Sequence, residues 1–217
     1  PDLVKQVLKK IKSEGLTTTF GKVRSKLAEP ITLGYSAAGV VVEAGANSRF
    51  QPGDRVAIAG AGYATHAEFN YVPDNLCARI PEGVSFEEAA FSTVGAIALQ
   101  GVRQADPQLG EKVVVLGLGL LGLLTVQLLK ANGCAVLAID LDPGKVELAL
   151  QLGADVAACG DGLKECVAFT GGHGADAVII TAATPSNVPV ENAAEMSRHK
   201  GRVVIVGLVG MNIPRDE

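Results

Sequence analysis

Between residues 113 and 206 the chain alternates short aliphatic, β-branched runs with longer stretches whose apolar positions recur every three to four residues. The runs 113–116, 136–139, 156–158, 178–181 and 203–206 are too short for buried helices and predict strands. Residues 120–131, 145–152, 163–170 and 190–198 carry helical spacing, and Asn132-Gly133, Gly153 and Gly201 stand where those helices would end. Five apolar strands separated by helices require a parallel sheet with right-handed crossovers. Upstream the period shortens. Residues 36–44, 55–59 and 64–72 read as strands between glycine- and proline-rich turns, a piece of a small barrel too short to close. Ser85-Phe86-Glu87-Glu88 has the form of a capping box, opening an alanine-rich helix towards Gln104. Near the start, Leu3, Val4, Val7, Leu8 and Ile11 predict an amphipathic helix ended by Gly15, and Phe20, Val23 and Leu27 a shorter one closed before Pro30. The expected organisation is a helical appendage over 1–30, a partial β domain over 31–91 and an α/β domain over 92–217.

Composition narrows the functional classes. At 48% hydrophobic residues in 217, the chain can bury a core and is not intrinsically disordered. Its formal charge of −4, without an arginine-rich tract, argues against nucleic acid as a partner. The first 29 residues hold seven basic and three acidic side chains, so the acidic excess lies entirely in the remainder. We read that basic segment as helices lying on the body with their lysines in water. The 17 uncharged residues between Lys112 and Lys130 approach the length of a membrane span, but three glycines and Gln127 point instead to a buried strand followed by a buried helix. Cys77, Cys134, Cys159 and Cys166 include no CxxC pair and read as reduced, mostly buried thiols, which suggests a cytoplasmic protein. The opening Pro1-Asp2 shows no signal peptide, and the absence of an initiator Met suggests a piece of a longer chain.

One motif carries chemistry. Gly117-Leu118-Gly119-Leu120-Leu121-Gly122 places Gly-x-Gly-x-x-Gly between the first strand of the alternating region and its helix. Gly117 permits the tight turn, Gly119 keeps side-chain atoms away from a diphosphate, and Gly122 allows close packing of helix on strand. The amides around Leu120 and Leu121, with the helix dipole, face the phosphates. A lone glycine pattern is weak, but the second strand ends at Asp140, whose carboxylate can accept both adenosine ribose hydroxyls and repel a 2′-phosphate. Leu141 adjoins it, and the nearest cation is Lys145. These residues predict NAD as coenzyme in preference to NADP. Asp142-Pro143-Gly144 reads as the cap of the next helix.

On these motifs the chain resembles the medium-chain dehydrogenase/reductases, the superfamily of alcohol dehydrogenases and quinone reductases. The segment Leu33-Gly34-Tyr35-Ser36-Ala37-Ala38-Gly39-Val40-Val41 is similar to the family's Gly-His-Glu strand. Pro52-Gly53-Asp54-Arg55-Val56 matches its Gly-Asp-Arg-Val turn, Ala67-Glu68-Phe69 its Ala-Glu-Tyr strand, and Glu87-Glu88-Ala89-Ala90 the entry to the nucleotide domain. The resemblance implies a Rossmann sheet, five strands here with a sixth expected beyond Glu217, and an incomplete GroES-like domain. It is nearest to the dehydrogenase half of bacterial bi-domain oxidoreductases. That implies a fused second nucleotide-binding domain and a link to polysaccharide biosynthesis, hence a sugar derivative as substrate; nucleotide-domain pairing implies a homodimer.

Departures from the family bear on mechanism. Where zinc enzymes have a metal-binding His and a following Glu, this chain has Tyr35 and Ser36. No thiol or imidazole stands near Ala89 and Ala90, where a third ligand would come, and the four-cysteine structural zinc loop is absent. A catalytic zinc needs three protein ligands, so the expectation is a zinc-independent enzyme with no metal site. Proton transfer then falls to side chains. Tyr35 could donate to a carbonyl oxygen or be a barrel tyrosine; His66, in the segment facing the family's cleft, could carry a proton or be a surface histidine. By resemblance Thr93 and Val94 lie beside the nicotinamide, and Ala182, Ala183, Gly207 and Leu208 line the ring at strand ends. His173 reads as a turn residue and His199 as a cation at a helix C-terminus. The leading expectation is hydride transfer on an alcohol/carbonyl pair of a small-molecule substrate. An enone or quinone reductase, and a nucleotide-binding module without turnover, are the alternatives.

Overall fold

The computed structural model describes residues 32–212 and Gly15; the helices expected over 1–30 lie outside the described residues. Two sheets form. The first is a three-stranded antiparallel sheet of β1 (Ser36–Val40), β2 (Arg55–Ala59) and β3 (Cys77–Arg79), with β2 in the centre. The expected strand over 64–72 is absent: residues 61–72 run through turns and bends, and the third strand is β3. Local polar bonding explains the difference. The Asn70 carboxamide oxygen accepts from the Thr65 amide at 3.0 Å and the Thr65 hydroxyl at 2.8 Å, closing this segment on itself. Likewise β1 stops at Val40, because the chain turns away after Val41 bonds Asp54 and Gly53.

The capping box forms as expected. The Ser85 hydroxyl accepts from the Glu88 amide at 3.1 Å, and the Glu88 carboxylate accepts from the Ser85 amide at 2.8 Å. The backbone bond to Ser85 holds the Glu88 carboxyl below its ordinary pKa. The helix it opens is only one turn, α1 (Phe86–Ala89); after a break at Ala90 and Phe91 the chain resumes as α2 (Ser92–Ala105).

The second sheet is built from β4 (Lys112–Leu116), α3 (Leu120–Ala131), β5 (Ala135–Asp140), α4 (Pro143–Gln151), β6 (Val156–Cys159), α5 (Leu163–Thr170), β7 (Ala175–Ile180), α6 (Val188–Met196) and β8 (Ser197–Ile205). Its order is β6-β5-β4-β7-β8, every pairing parallel. The uncharged 17-residue run is thus divided between β4 and α3, and no described helix is long and apolar enough to cross a membrane.

Alternation along the buried strands separates two cores. Val113 and Val115 point to the layer with Val102, Leu118, Val126 and Leu129, while Val114 and Leu116 point to the layer with Cys166, Val190 and Met196. Burying each such side chain contributes about 1.5–3 kcal/mol. Two of the four cysteines are buried, Cys77 is partly covered and Cys159 is exposed; burial pushes the Cys166 thiol up.

The amino ends of β4, β7 and β8 are joined by ions. Asp176 accepts from the Lys112 amide at 2.8 Å and the Arg198 guanidinium at 2.6 Å, and Arg202 pairs with Glu111. This network draws β8 back to Ser197, so His199 lies in a strand and not at a helix end; Lys200 takes a left-handed φ of 62° at this irregular start. His173 sits in a turn, as expected.

Asp176→Ala would leave the Lys112 amide and Arg198 without their acceptor, and should lower the free energy of unfolding in urea by about 2 kcal/mol at pH 7. Burial raises the Asp176 pKa, but the bonds from Arg198 and Lys112 and the charges of Arg198 and Arg202 outweigh it and hold it below the usual carboxylate value. The stabilisation is therefore complete above about pH 4 and lost as pH falls through the lowered native value. The gap between wild type and variant should narrow in that acid range.

Candidate coenzyme site

From β4 the chain winds outward through β5 and β6 to one side and through β7 and β8 to the other, so the crevice at the carboxyl ends of β4 and β7 is the topological switch point. Gly117 stands at its mouth with φ of 96°, in the left-handed region. A Cβ there would lie 2.6 Å from the Ala182 amide, and one on Gly122 would overlap the Gly117 carbonyl oxygen. By contrast, a Cβ on Gly119 would meet no atom within 4 Å. Two glycines are therefore demanded by the protein's own backbone, whereas the third leaves an open cradle. That is the division of roles that diphosphate binding requires.

Asp140 sits beside the cradle. Its Oδ2 accepts from the Leu118 amide at 2.6 Å, its Oδ1 accepts from the Asp142 amide at 2.9 Å, and Lys145 Nζ lies 3.8 Å away. Asp142 takes the capping role expected of it, accepting from the Gly144 amide at 2.9 Å with Pro143 opening α4. A carboxylate offers about four lone-pair positions, so two remain for a diol. Next to Asp140 the Leu141 side chain is left exposed at 80%, Leu120 is exposed at the start of α3, and Leu208, after β8, is exposed at 81%. They are apolar surfaces suited to flat aromatic rings.

The loops after β7 and β8 are joined. Ala183 bridges Leu208, and the Thr184 amide donates to the Leu208 carbonyl at 2.8 Å. A Cβ on Gly207 would overlap the Ala182 carbonyl, so glycine is needed for this approach. The expected ring-lining residues Ala182, Ala183, Gly207 and Leu208 thus fall together at the strand ends.

The expected proton carriers share a corner of the smaller sheet. The His66 amide donates to the Leu33 carbonyl at 2.7 Å, and the imidazole fills the space over Gly34, where a Cβ would lie 2.7 Å from Nε2. The Tyr35 carbonyl accepts from the Gly60 amide, and its side chain is 46% exposed. Ser36 ties this corner to the larger unit: its hydroxyl donates to the Ala90 carbonyl at 2.5 Å and accepts from the Thr93 amide at 3.3 Å. Thr93 is therefore held against β1.

The described residues around Ser36 do not make up a set of zinc ligands. Ser36 is engaged on backbone groups, Ala89 and Ala90 offer no donor atom, and no three His, Cys, Asp or Glu side chains are grouped for a metal among the described residues. Sequence reasoning missed two participants. Ser36 registered only as a replaced residue and Thr181 only as the end of a β-branched run. Yet the Thr181 hydroxyl, nearly buried, donates to the Gly117 carbonyl at 2.5 Å.

Comparison with known proteins agrees with this geometry. Residues 5–98 match the family model of the alcohol dehydrogenase GroES-like domain, and residues 121–216 that of zinc-binding dehydrogenases. An uncharacterized zinc-type alcohol dehydrogenase-like protein of Escherichia coli is 31% identical over 83% of this chain and 61% of its own. An alcohol dehydrogenase of Geobacillus stearothermophilus is 30% identical over 96% of this chain and 72% of its own. Among solved structures, mycobacterial Rv1454c in complex with NADPH superposes with a TM-score of 0.74 at 25% identity, over 86% of this chain and 60% of that one. The chain thus spans about three fifths of the length of the first of these relatives.

The glycine geometry makes a differential prediction for thermal unfolding. Gly122→Ala should lower Tm by several degrees, reflecting an overpacking cost of about 1–3 kcal/mol. Gly119→Ala should leave Tm within about 1 °C, because its backbone (φ −69°, ψ −171°) suits any residue and its surroundings are open.

Proposed function

We propose an activity from one premise: the chain belongs to the medium-chain dehydrogenase/reductase superfamily of zinc-type alcohol dehydrogenases. The function is that of an NAD-linked, zinc-independent oxidoreductase acting on an alcohol/carbonyl pair of a small molecule. The closer resemblance to bi-domain oxidoreductases supports a sugar derivative. The observation that carries the reading is the glycine crossing with Asp140 fixed beside it. When bound, the dinucleotide supplies the hydride acceptor or donor.

The chain's own residues do the rest. Amides at the start of α3 and the open face of Gly119 receive the diphosphate. Asp140 keeps two lone-pair positions for the ribose hydroxyls, and Leu141 and Leu208 offer apolar surface for the two rings. A 2′-phosphate would bring a second anion against Asp140, while Lys145 already lies within 4.0 Å of both Asp140 and Asp142. The preference for NAD rests on that local charge; the mycobacterial relative, with NADPH bound, is the contrasting case.

In this reading the Tyr35 phenol or the His66 imidazole exchanges the hydroxyl proton, supported by their common position on the corner that Ser36 ties to Thr93. A zinc ion has no part in this scheme, because the family's His and Glu positions are Tyr35 and Ser36 and the Ser36 hydroxyl is already used.

Calorimetric titration should show NADH binding more tightly than NADPH. Asp140→Ala should weaken NADH by about 1–3 kcal/mol, roughly 5- to 150-fold in Kd. Tighter binding of NADPH to the wild type would refute the charge argument. Metal analysis of the purified protein should find no stoichiometric zinc; one tightly held equivalent per chain would overturn the zinc-free mechanism.

A further inference from the structure

We propose that Thr181 is a positioning residue for coenzyme recognition: it clamps the Gly117–Leu118 peptide so that Asp140 is presented to the ribose. This inference rests on the coenzyme reading above and extends it to a residue that the reading does not use.

Thr181 follows β7 at the switch point and is 9% exposed, so its hydroxyl must find a partner inside the protein. The nearby Leu116 carbonyl, 3.2 Å from Oγ1, already accepts from the Thr181 and Ala182 amides at 2.8 and 3.1 Å. The single hydroxyl hydrogen therefore goes to the Gly117 carbonyl, at 2.5 Å. The described peptides are all trans, so the carbonyl and the N–H of one peptide plane point in opposite directions. On the far edge of that plane, the Leu118 N–H donates to Asp140 Oδ2 at 2.6 Å. One peptide is thus gripped between Thr181, after β7, and Asp140, at the end of β5.

The grip matters because glycine alone does not fix the plane. Gly117 has unusual freedom at its own torsions, and rotation there would turn the Leu118 N–H away from Asp140. With the plane fixed, Oδ2 is anchored by Leu118 and Oδ1 by the Asp142 amide. The carboxylate then has one orientation, with its remaining lone pairs turned to the ribose side. Valine has nearly the shape of threonine and the same strand preference, so Thr181→Val removes the hydroxyl and little else.

The test is a double-mutant cycle on the whole chain, with NADH affinity read by calorimetry and the Leu118 amide proton by NMR on isotopically labelled protein. Thr181→Val should weaken NADH about 5- to 10-fold, and Thr181→Ser should restore it to within about twofold. In an Asp140→Ala background, Thr181→Val should cost nothing further, because the clamp acts through that carboxylate. Without coenzyme, the Leu118 amide proton should move upfield in Thr181→Val and return in Thr181→Ser. Should the valine variant fail to fold, Thr181→Ala must show the same loss and displacement. Multiplicative losses in the double variant, or NADH affinity unchanged by Thr181→Val, would overturn the role while leaving the coenzyme site intact. A wild type that binds neither NADH nor NADPH would sink the coenzyme reading itself, and this role with it.

Discussion

Three backbone segments converge where β4 ends, and the rest of the site depends on that convergence. The first turn of α3 approaches so closely that Gly122 has no room for a Cβ against the Gly117 carbonyl, and the residues after β7 crowd Gly117 from the other side. Such contacts are available only to glycine, and they bring buried backbone polar groups together. Each must then be paired. Thr181 and Asp140 supply the pairing at the Gly117–Leu118 peptide, and the Gly117 amide donates to the Ile139 carbonyl at 2.8 Å. The carboxylate proposed for recognition therefore also satisfies the backbone.

That double duty decides what the site tolerates. A carboxylate used only for a ligand floats in solvent when the ligand leaves, and ordering it again opposes binding. Asp140 is held by two amides, so its ordering is supplied by folding. The cation beside it is shared between Asp140 and Asp142 and is partly exposed, so its electrostatic contribution is weaker than its proximity suggests.

The larger sheet was legible in the sequence almost throughout, because strands buried on both faces read as uninterrupted aliphatic runs and their helices keep a regular period. The Asp142 cap, the tight glycine crossing and the position of Asp140 at the end of β5 were legible for the same reason: they follow from backbone geometry at fixed points of a βαβ unit. Where local polar bonding competed with the pattern, reading failed. Asn70 folds 64–72 on itself, and Asp176 with its two arginines pulls β8 back over His199. Thr181 was hidden for a subtler reason: threonine suits a strand whether or not its hydroxyl has work to do.

The smaller unit follows a different logic. Its family resemblance runs through positions where a metal would cross-link β1 to the segment entering the nucleotide domain. Here Ser36 makes that connection, through the Ala90 carbonyl and the Thr93 amide. A hydroxyl so engaged cannot turn to a metal without leaving two backbone groups unpaired, a cost of about 1–3 kcal/mol for each that is buried. The same bonds hold Thr93 against β1, so this corner is defined by the chain's own hydrogen bonds. At that corner the fold leaves the Tyr35 and His66 side chains accessible, whereas Asp140 beside the glycine crossing is fixed and partly covered. Rigidity thus sits at the glycine crossing and exposure at the corner of the smaller sheet.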